Sequence, residues 1–402
     1  MEVTKIIKLL IGGSPCTHWS IAQTKNRETK PSGTGWELFE NYVIALKRYQ
    51  PDYFLYENNK SMAPAIRAQI SRELGVEPVL INSALVSAQN RQRLYWVGRR
   101  KPDGTYAQVP VRQPEDRGIL LRQILETAIE EKGYILKHAG KALSPREMEY
   151  MVRATASGRN HFDFNYHHNA ANPKSSCVTS NIHKGVPYNA LIEPIRIGTV
   201  QNSAKNQNFD SQQYRVYSPD GKAVTLCGNG AGLTPKPVCT PRLPPPELLK
   251  HYTDSGYPVY HVQNGHITVA GAQYPIKLQD GFYIIRKLTV TECKRLQTVP
   301  EKYTFPVSNT QAYKMLGNGW TVDVIVHIMG HFNELKKQPV EVLSMYDGMS
   351  CGHIALDKLG VNVQAYYATE IDPYAIKTTL YNYPNTIQLG DAFAVRDENW
   401  HV

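Results

Sequence analysis

Ile11-Gly12-Gly13-Ser14-Pro15-Cys16-Thr17-His18-Trp19-Ser20 is the stretch whose reading decides the fold. It closes an apolar run, residues 6–11, that reads as a buried parallel strand. Two glycines then turn the chain sharply, and Pro15 fixes its own backbone while biasing Ser14 to an extended conformation. The turn presents one thiol, Cys16, beyond the carboxyl end of a strand, where open α/β sheets bind ligands. On this segment alone Cys16 is either a reactive nucleophile or an inert small filler.

Outward from there, residues 52–56 read as another strand and run into Glu57-Asn58-Asn59. Gln89-Asn90-Arg91-Gln92-Arg93-Leu94-Tyr95-Trp96-Val97-Gly98 sets an arginine pair at the head of a further strand. Strands at 6–11, 53–56, 78–82 and 93–98 alternate with helical stretches at 36–49 and 63–74, a βαβα pattern that predicts a parallel sheet. Residues 24–35 interrupt it with a polar, basic, glycine-bearing segment, either a solvated connection or a lid beside Cys16.

The far end of the chain repeats the theme. Glu341-Val342-Leu343-Ser344-Met345-Tyr346-Asp347-Gly348-Met349-Ser350-Cys351-Gly352 is a strand and a glycine turn feeding a helix at 353–359. Residues 364–369 form a second strand ending at Glu370, and 386–389 a third ending in Gly390-Asp391. Strand, turn, helix, strand, acid is half of a doubly wound sheet. Gly348 and Glu370 stand near the ~20-residue spacing of an acid that grips ribose hydroxyls.

Between these halves, from about residue 133, Asn, Gly, Pro, Tyr and His dominate, and short β segments with long loops are expected. Residues 133–285 carry 15 Lys+Arg against 9 Asp+Glu, a net +6 of the chain's +10, and eight of its 13 histidines. That places phosphate contacts in the middle of the chain. The histidines of 159–168 lack helical spacing and an acidic or thiol partner, so no metal site is expected. Residues 241–247, Pro-Arg-Leu-Pro-Pro-Pro-Glu, are a stiff connector. Residues 286–297 read as a helix capped by Thr289 or Thr291. Six scattered cysteines without a CxxC pair exclude a disulfide framework and a zinc signature. With 42% hydrophobic and 20% charged residues in 402, the chain has the composition of a soluble globular protein of two or three domains. Without a signal peptide or a long apolar run it is expected in the cytoplasm.

Pro15-Cys16, Glu57-Asn58 and Gln89-x-Arg91-x-Arg93, in this order and at strand edges, resemble the motifs of DNA (cytosine-5) methyltransferases. Tyr214–Gly232 looks like the core of that family's target-recognition domain, although an ordinary hairpin with a loose loop reads the same residues. The fold implied is a Rossmann-like methyltransferase sheet, α/β, with a second, irregular β-rich target-recognition domain. The division expected is 1–132 for the catalytic half, 133–285 for target recognition, 286–338 for a hinge and return helix, and 339–402 for the cofactor-binding half. Because that last half normally comes first, the chain resembles a circular permutant, and Met1 and Val402 are expected close together.

The resemblance also implies roles. Cys16 is the nucleophile that attacks carbon 6 of cytosine, Glu57 serves ring nitrogen 3, and Arg93 and Arg91 hold the base and Glu57. A surface ion-pair network is the plainer reading of Glu57 and the arginines. The cofactor implied is S-adenosylmethionine, held by Tyr346, Asp347, Gly348, Gly352, Glu370, Ile371, Asp391, Pro15 and Asn318. Ser20, Gln89, Thr225 and Gly230 are the DNA-binding candidates. The partner implied is double-stranded DNA, with the target base flipped out, and the protein is expected as a monomer, nucleoid-associated in a bacterial or phage-infected cell. Alternatives are a tRNA cytosine-5 methyltransferase and a catalytically inactive DNA-binding homologue. Two departures stand out: the turn Tyr346–Gly352 is nearer the pattern of animal de novo enzymes, and Asn59 replaces a common valine.

Overall fold

The computed structural model describes residues 5–20, 27–120, 123–124, 260–275 and 289–402, and as backbone the short strands at 196–199, 215–217, 223–224, 237–239, 281–283 and 285–287. The chain divides into two compact units. One comprises Met1–Val86, Arg91–Arg117 and Gln297–Val402; the other comprises Ser87–Asn90 and Gly118–Leu296.

The first unit is built on a mixed, mostly parallel sheet. Its strands are β1 (Ile7–Gly12), β2 (Tyr53–Asn59), β3 (Pro78–Asn82), β5 (Gln92–Arg100), β6 (Tyr106–Gln108), β16 (Val340–Met345), β17 (Val363–Thr369) and β18 (Ile387–Gly390), in spatial order β18-β17-β16-β1-β2-β5-β3 with β6 beside β5. β1 lies parallel to β16 on one side and β2 on the other. The chain leaves β16 toward β17 but leaves β1 toward β2. The two neighbours therefore diverge at a topological switch point, where such sheets bind ligands outside their carboxyl ends. β5 departs from the expected parallel pattern, pairing antiparallel with β2 and β3. Nine residues separate β3 from β5, fewer than a parallel crossover needs.

Helix α1 (Thr34–Tyr49) carries Glu37 in its first turn and Lys47 and Arg48 in its last, matching the helix dipole, and stops at left-handed Gln50. α2 (Pro64–Leu74) opens on a proline and closes on Gly75 at φ +69°. α1 packs Phe39 and Tyr42 against Tyr56, with ring centroids 5.2 and 4.9 Å away, and Trp96, the cross-strand partner of Tyr56, lies 5.7 Å from it. These rings are fully buried, each contributing about 1.5–3 kcal/mol. They form the floor beneath the Cys16 turn. Opposite, helix Cys351–Leu359 sits so close to β1 that a Cβ on Gly352 would run into the Ile11 side chain.

The second unit contains β4 (Gln89–Asn90) paired with β9 (Ala223–Val224). It also holds two four-stranded sheets. One orders β15 (Ile285–Lys287), β10 (Pro237–Cys239), β8 (Arg215–Tyr217) and β7 (Arg196–Thr199); the other orders β13 (Ala272–Pro275), β12 (His266–Val269), β11 (Tyr260–Gln263) and β14 (Gly281–Tyr283). The β11–β12 turn is Asn264-Gly265, both at positive φ, as a tight two-residue hairpin demands. The helix expected over 286–297 spans only Val290–Leu296, because residues 285–287 extend a sheet instead. Thr289 is the cap: its hydroxyl accepts from Glu292 N (3.1 Å) while Glu292 Oε2 accepts from Thr289 N (2.8 Å). The histidine cluster at 159–168, most of Tyr214–Gly232, the connector at 241–247 and Met1 lie outside the described residues.

Candidate active site

Register explains why distant motifs meet. Gly12 is level with Met345 on one side and Tyr56 on the other, and Met345 with Thr369, which is level with Gly390. The next residues on these strands are Gly13, Tyr346, Glu57, Glu370 and Asp391. Five chain segments thus bring these residues into one row near the carboxyl edge of the sheet, with β2 continuing two residues further to Asn59.

Cys16 opens a 3₁₀ turn, Cys16–His18, entered through exposed Pro15 at φ −49° and ψ 120°. Its carbonyl accepts from Trp19 N and Ser20 N (3.1 and 3.0 Å), which closes the turn and leaves the half-buried thiol unbonded to other cysteines. Buried Ser14 pairs its hydroxyl with Tyr56 (2.7 Å), and the Asn58 amide donates to Ser14 O and Tyr56 Oη, each at 3.2 Å. Asn59, the departure from valine, is buried, and its amide reaches toward Cys16 O at 3.5 Å. A Cβ on Gly13 would lie 2.8 Å from Glu57 O and 3.0 Å from its Oε2, so glycine alone lets the cysteine turn lie against the carboxylate.

The returning segment is anchored. Glu28 accepts from Trp19 Nε1 (3.0 Å) and Gly35 N (3.2 Å) and faces His18 Nδ1 at 3.5 Å, while Arg27 donates to Trp19 O and Ser61 O. Residues 27–35 are thus tied to the cysteine turn. Ser20 is half-buried at the end of that turn.

Both Glu57 oxygens are held. Arg93 Nε lies 3.1 Å from Oε1, and Trp320 Nε1 donates to Oε2 at 3.0 Å. Arg91 is directed elsewhere. Its buried guanidinium donates to Gly317 O (3.1 Å) and Gly319 O (2.9 Å), and burial, reinforced by the charge of Arg93, lowers its pKa to about 10. It remains charged at neutral pH and clamps backbone. Gln89 also turns inward: it is fully buried, and its amide donates to Leu296 O at 3.2 Å within the second unit. Thr225 and Gly230 lie outside the described residues.

At the end of β16, Tyr346, Gly348 and Ser350 all take positive φ near +60°. Asp347 braces this turn, its buried carboxylate accepting from Ser344 (2.7 Å), Tyr366 (2.8 Å) and Ser350. Burial pushes its pKa up to about 6. Glu370 accepts from Gly348 N (2.8 Å), Ile371 N (2.7 Å) and Asp372 N (2.8 Å). Asp391 caps the next turn through Phe393 N at 2.9 Å. Tyr346 sends its hydroxyl to Leu38 O (2.7 Å), and Gly352 serves helix packing. Asn318 ends helix Asn309–Asn318 exposed.

A nucleoside-bearing ligand fits these surroundings. Cβ atoms on Gly348 or Gly390 would meet nothing within 4 Å, so space lies open over both turns. Ile371 stands 71% exposed and Phe393 37% exposed next to two carboxylates, apolar faces beside hydrogen-bond acceptors. Trp320 is the contact that the motifs did not single out; its signal is an indole placed just after Gly317-Asn318-Gly319. Among the described residues no group of His, Cys, Asp or Glu could hold a metal, and no helix is long and apolar enough to cross a membrane.

A family model described as C-5 cytosine-specific DNA methylase matches residues 2–334. The orphan methyltransferase M.SPRI of Bacillus phage SPR is 26% identical over 391 residues, covering 83% of this chain and 85% of its own. The type II methyltransferase M.HpaII of Haemophilus parainfluenzae is 22% identical over 329 residues, covering 79% and 69%. The crystal structure of S. pombe Dnmt2 methyltransferase overlays 71% of this chain and 66% of its own at 14% identity, with a TM-score of 0.33, too loose to bear on function.

Proposed function

This chain belongs to the C-5 cytosine-specific DNA methylase family, and on that footing we propose how its residues divide the work of a DNA cytosine-5 methyltransferase dependent on S-adenosylmethionine. Bound S-adenosylmethionine supplies an electrophilic methyl group. Cytosine carbon 5 is a weak nucleophile until a thiolate adds to carbon 6. The Cys16 thiolate makes that bond, the carbon 5–carbon 6 π pair shifts to the carbon 4–carbon 5 bond, the carbon 4–nitrogen 3 pair moves onto nitrogen 3, and Glu57 gives that nitrogen its proton. Arg93 holds Glu57 and the base carbonyl through charge-assisted hydrogen bonds. Once carbon 5 has taken the methyl group and S-adenosylhomocysteine is left as the thioether, nitrogen 3 returns its proton to Glu57, solvent takes the carbon 5 proton, and that bond's electron pair re-forms the carbon 5–carbon 6 double bond and expels Cys16 as the thiolate.

The observation that carries this reading is the contact of Gly13 with Glu57, which sets the cysteine turn against a carboxylate gripped at both oxygens. Glu370, Asp391, Ile371 and Phe393 border the donor's site, with Pro15 and Asn318 at its rim. The same reading makes residues 133–285 a target-recognition domain, keeps Ser20, Thr225 and Gly230 as DNA-binding candidates, and takes the protein as a monomer. The sheet supports a permuted order: counted from β16, its strands run 3-2-1-4-5-7-6, close to the doubly wound arrangement, and the family match ends before β16.

Transfer of labelled methyl groups to duplex DNA and to tRNA tests it. Wild type is expected to label DNA, and Cys16→Ala to lose at least about 10³-fold of that rate while folding normally. Retained transfer by Cys16→Ala, or label confined to tRNA, overturns the reading.

A further inference from the structure

We infer that Trp320 is a positioning residue for the reaction, acting through Glu57. The inference rests on the assignment of Glu57 to the target base and adds a residue that assignment does not contain. Trp320 is unusually well held for a residue between two helices. Arg91 binds the carbonyls of Gly317 and Gly319, and Gln297 donates to Leu316 O and, at 3.3 Å, to Gly319 O. Just past the indole, Thr321 donates to Gln297 Oε1 at 2.9 Å and accepts from Ser83 at 2.8 Å. The Trp320 backbone N–H points at the Cys351 sulfur. A Cβ on Gly319 would lie 3.0 Å from Met315 O and 3.1 Å from Cys351 Sγ, so the chain passes there with no room to shift.

The purpose of such fixation is visible at the end of the side chain. Trp320 Nε1 reaches Glu57 Oε2 at 3.0 Å while Arg93 reaches Oε1 at 3.1 Å. A carboxylate turns freely about its last torsion, whose wells are broad. Two donors on two oxygens stop that rotation and fix the carboxyl plane relative to the Cys16 turn. The indole N–H is a donor only, so it can hold a Glu57 oxygen without offering the Glu57 proton another acceptor. Arg91 acts one step further back, holding the backbone that carries the indole. Cys351 begins the helix that follows the cofactor turn, so the same segment ties the carboxylate to the cofactor half.

The test removes the N–H and keeps the shape. Trp320→Phe and a protein with benzothienylalanine at 320, in which sulfur replaces N–H, are compared with wild type, Glu57→Gln and the corresponding double variants. Readouts are single-turnover methyl transfer to duplex DNA, KM for DNA, and affinity for S-adenosylhomocysteine. The expected result is a fall in kcat of about 10-fold or more with KM and cofactor-product affinity within about twofold. In the Glu57→Gln background the same change has less than about threefold effect. Unchanged kcat in the benzothienyl protein, equal losses in both backgrounds, or a loss confined to cofactor-product affinity overturns the inference. Wild-type rates in Glu57→Gln alone would instead remove the reading on which it rests.

Discussion

His353 is half-buried, on the helix Cys351–Leu359. It stacks between Tyr366 and Tyr383, centroids 4.4 and 3.8 Å away, and its buried Nδ1 has no hydrogen-bond partner. Burial lowers its pKa to about 4, while burial raises that of nearby Asp347 to about 6. The two act in opposite directions. Between about pH 6.5 and 4 the unfolded chain binds a proton at His353 that the folded chain does not, so stability falls on acidification. Between about pH 6 and 4 the folded chain holds a proton at Asp347 that the unfolded chain has lost, so stability rises on acidification. The slopes offset each other in wild type. His353→Phe keeps the stack and removes one slope. Its stability relative to wild type is expected to grow by up to about 3 kcal/mol as pH drops from 6.5 to 4, read from urea midpoints at each pH. Parallel pH curves would refute the assignment.

At the scale of elements, the clamp on the cysteine turn carries the clearest consequence. Glu28 gathers the indole N–H of fully buried Trp19 and the backbone N–H of Gly35 at the start of α1. Glu28→Ala leaves both donors without that acceptor, a cost of about 1–3 kcal/mol, and frees the turn that aims Cys16. Thermal melting is expected to shift down and kcat to fall severalfold, with Glu28→Gln intermediate because its carbonyl still accepts one bond. A melting curve identical to wild type in Glu28→Ala would show that the turn stands by itself. The lid reading of residues 24–35 is narrowed by the same contacts, since 27–35 are fastened to the turn and α1.

For the whole molecule, the strand–turn–helix–acid signatures at both ends of the chain were legible because each is local: glycine at a turn, an apolar run at a strand, an acid at a strand's end. The antiparallel course of β5 follows from a connection length that a βα count overlooks. Partnerships across the chain were not legible. Arg91 and the Gly317 carbonyl it binds are 226 residues apart, so nothing near Arg91 tells that its guanidinium is already engaged, and Gln89 reads as polar surface until folding buries it. If the order of halves is a permutation, a gene in which residues 338–402 precede residues 1–337 through a flexible linker is expected to yield a folded enzyme with methyl transfer within about tenfold of wild type. A recut chain that purifies only as aggregate would count against it.

The row of strand ends has a consequence for how such an enzyme can change. Asp391, Glu370, Tyr346, Gly13 and Glu57 emerge from five adjacent strands, and neighbours in a sheet are about 4.8 Å apart. The sheet is therefore a ruler: from the first of these residues to the last is a span of roughly 19 Å set by backbone hydrogen bonding alone. Loops can lengthen and surface residues can drift without altering that interval, so the chemistry keeps its gauge while the sequence around it changes.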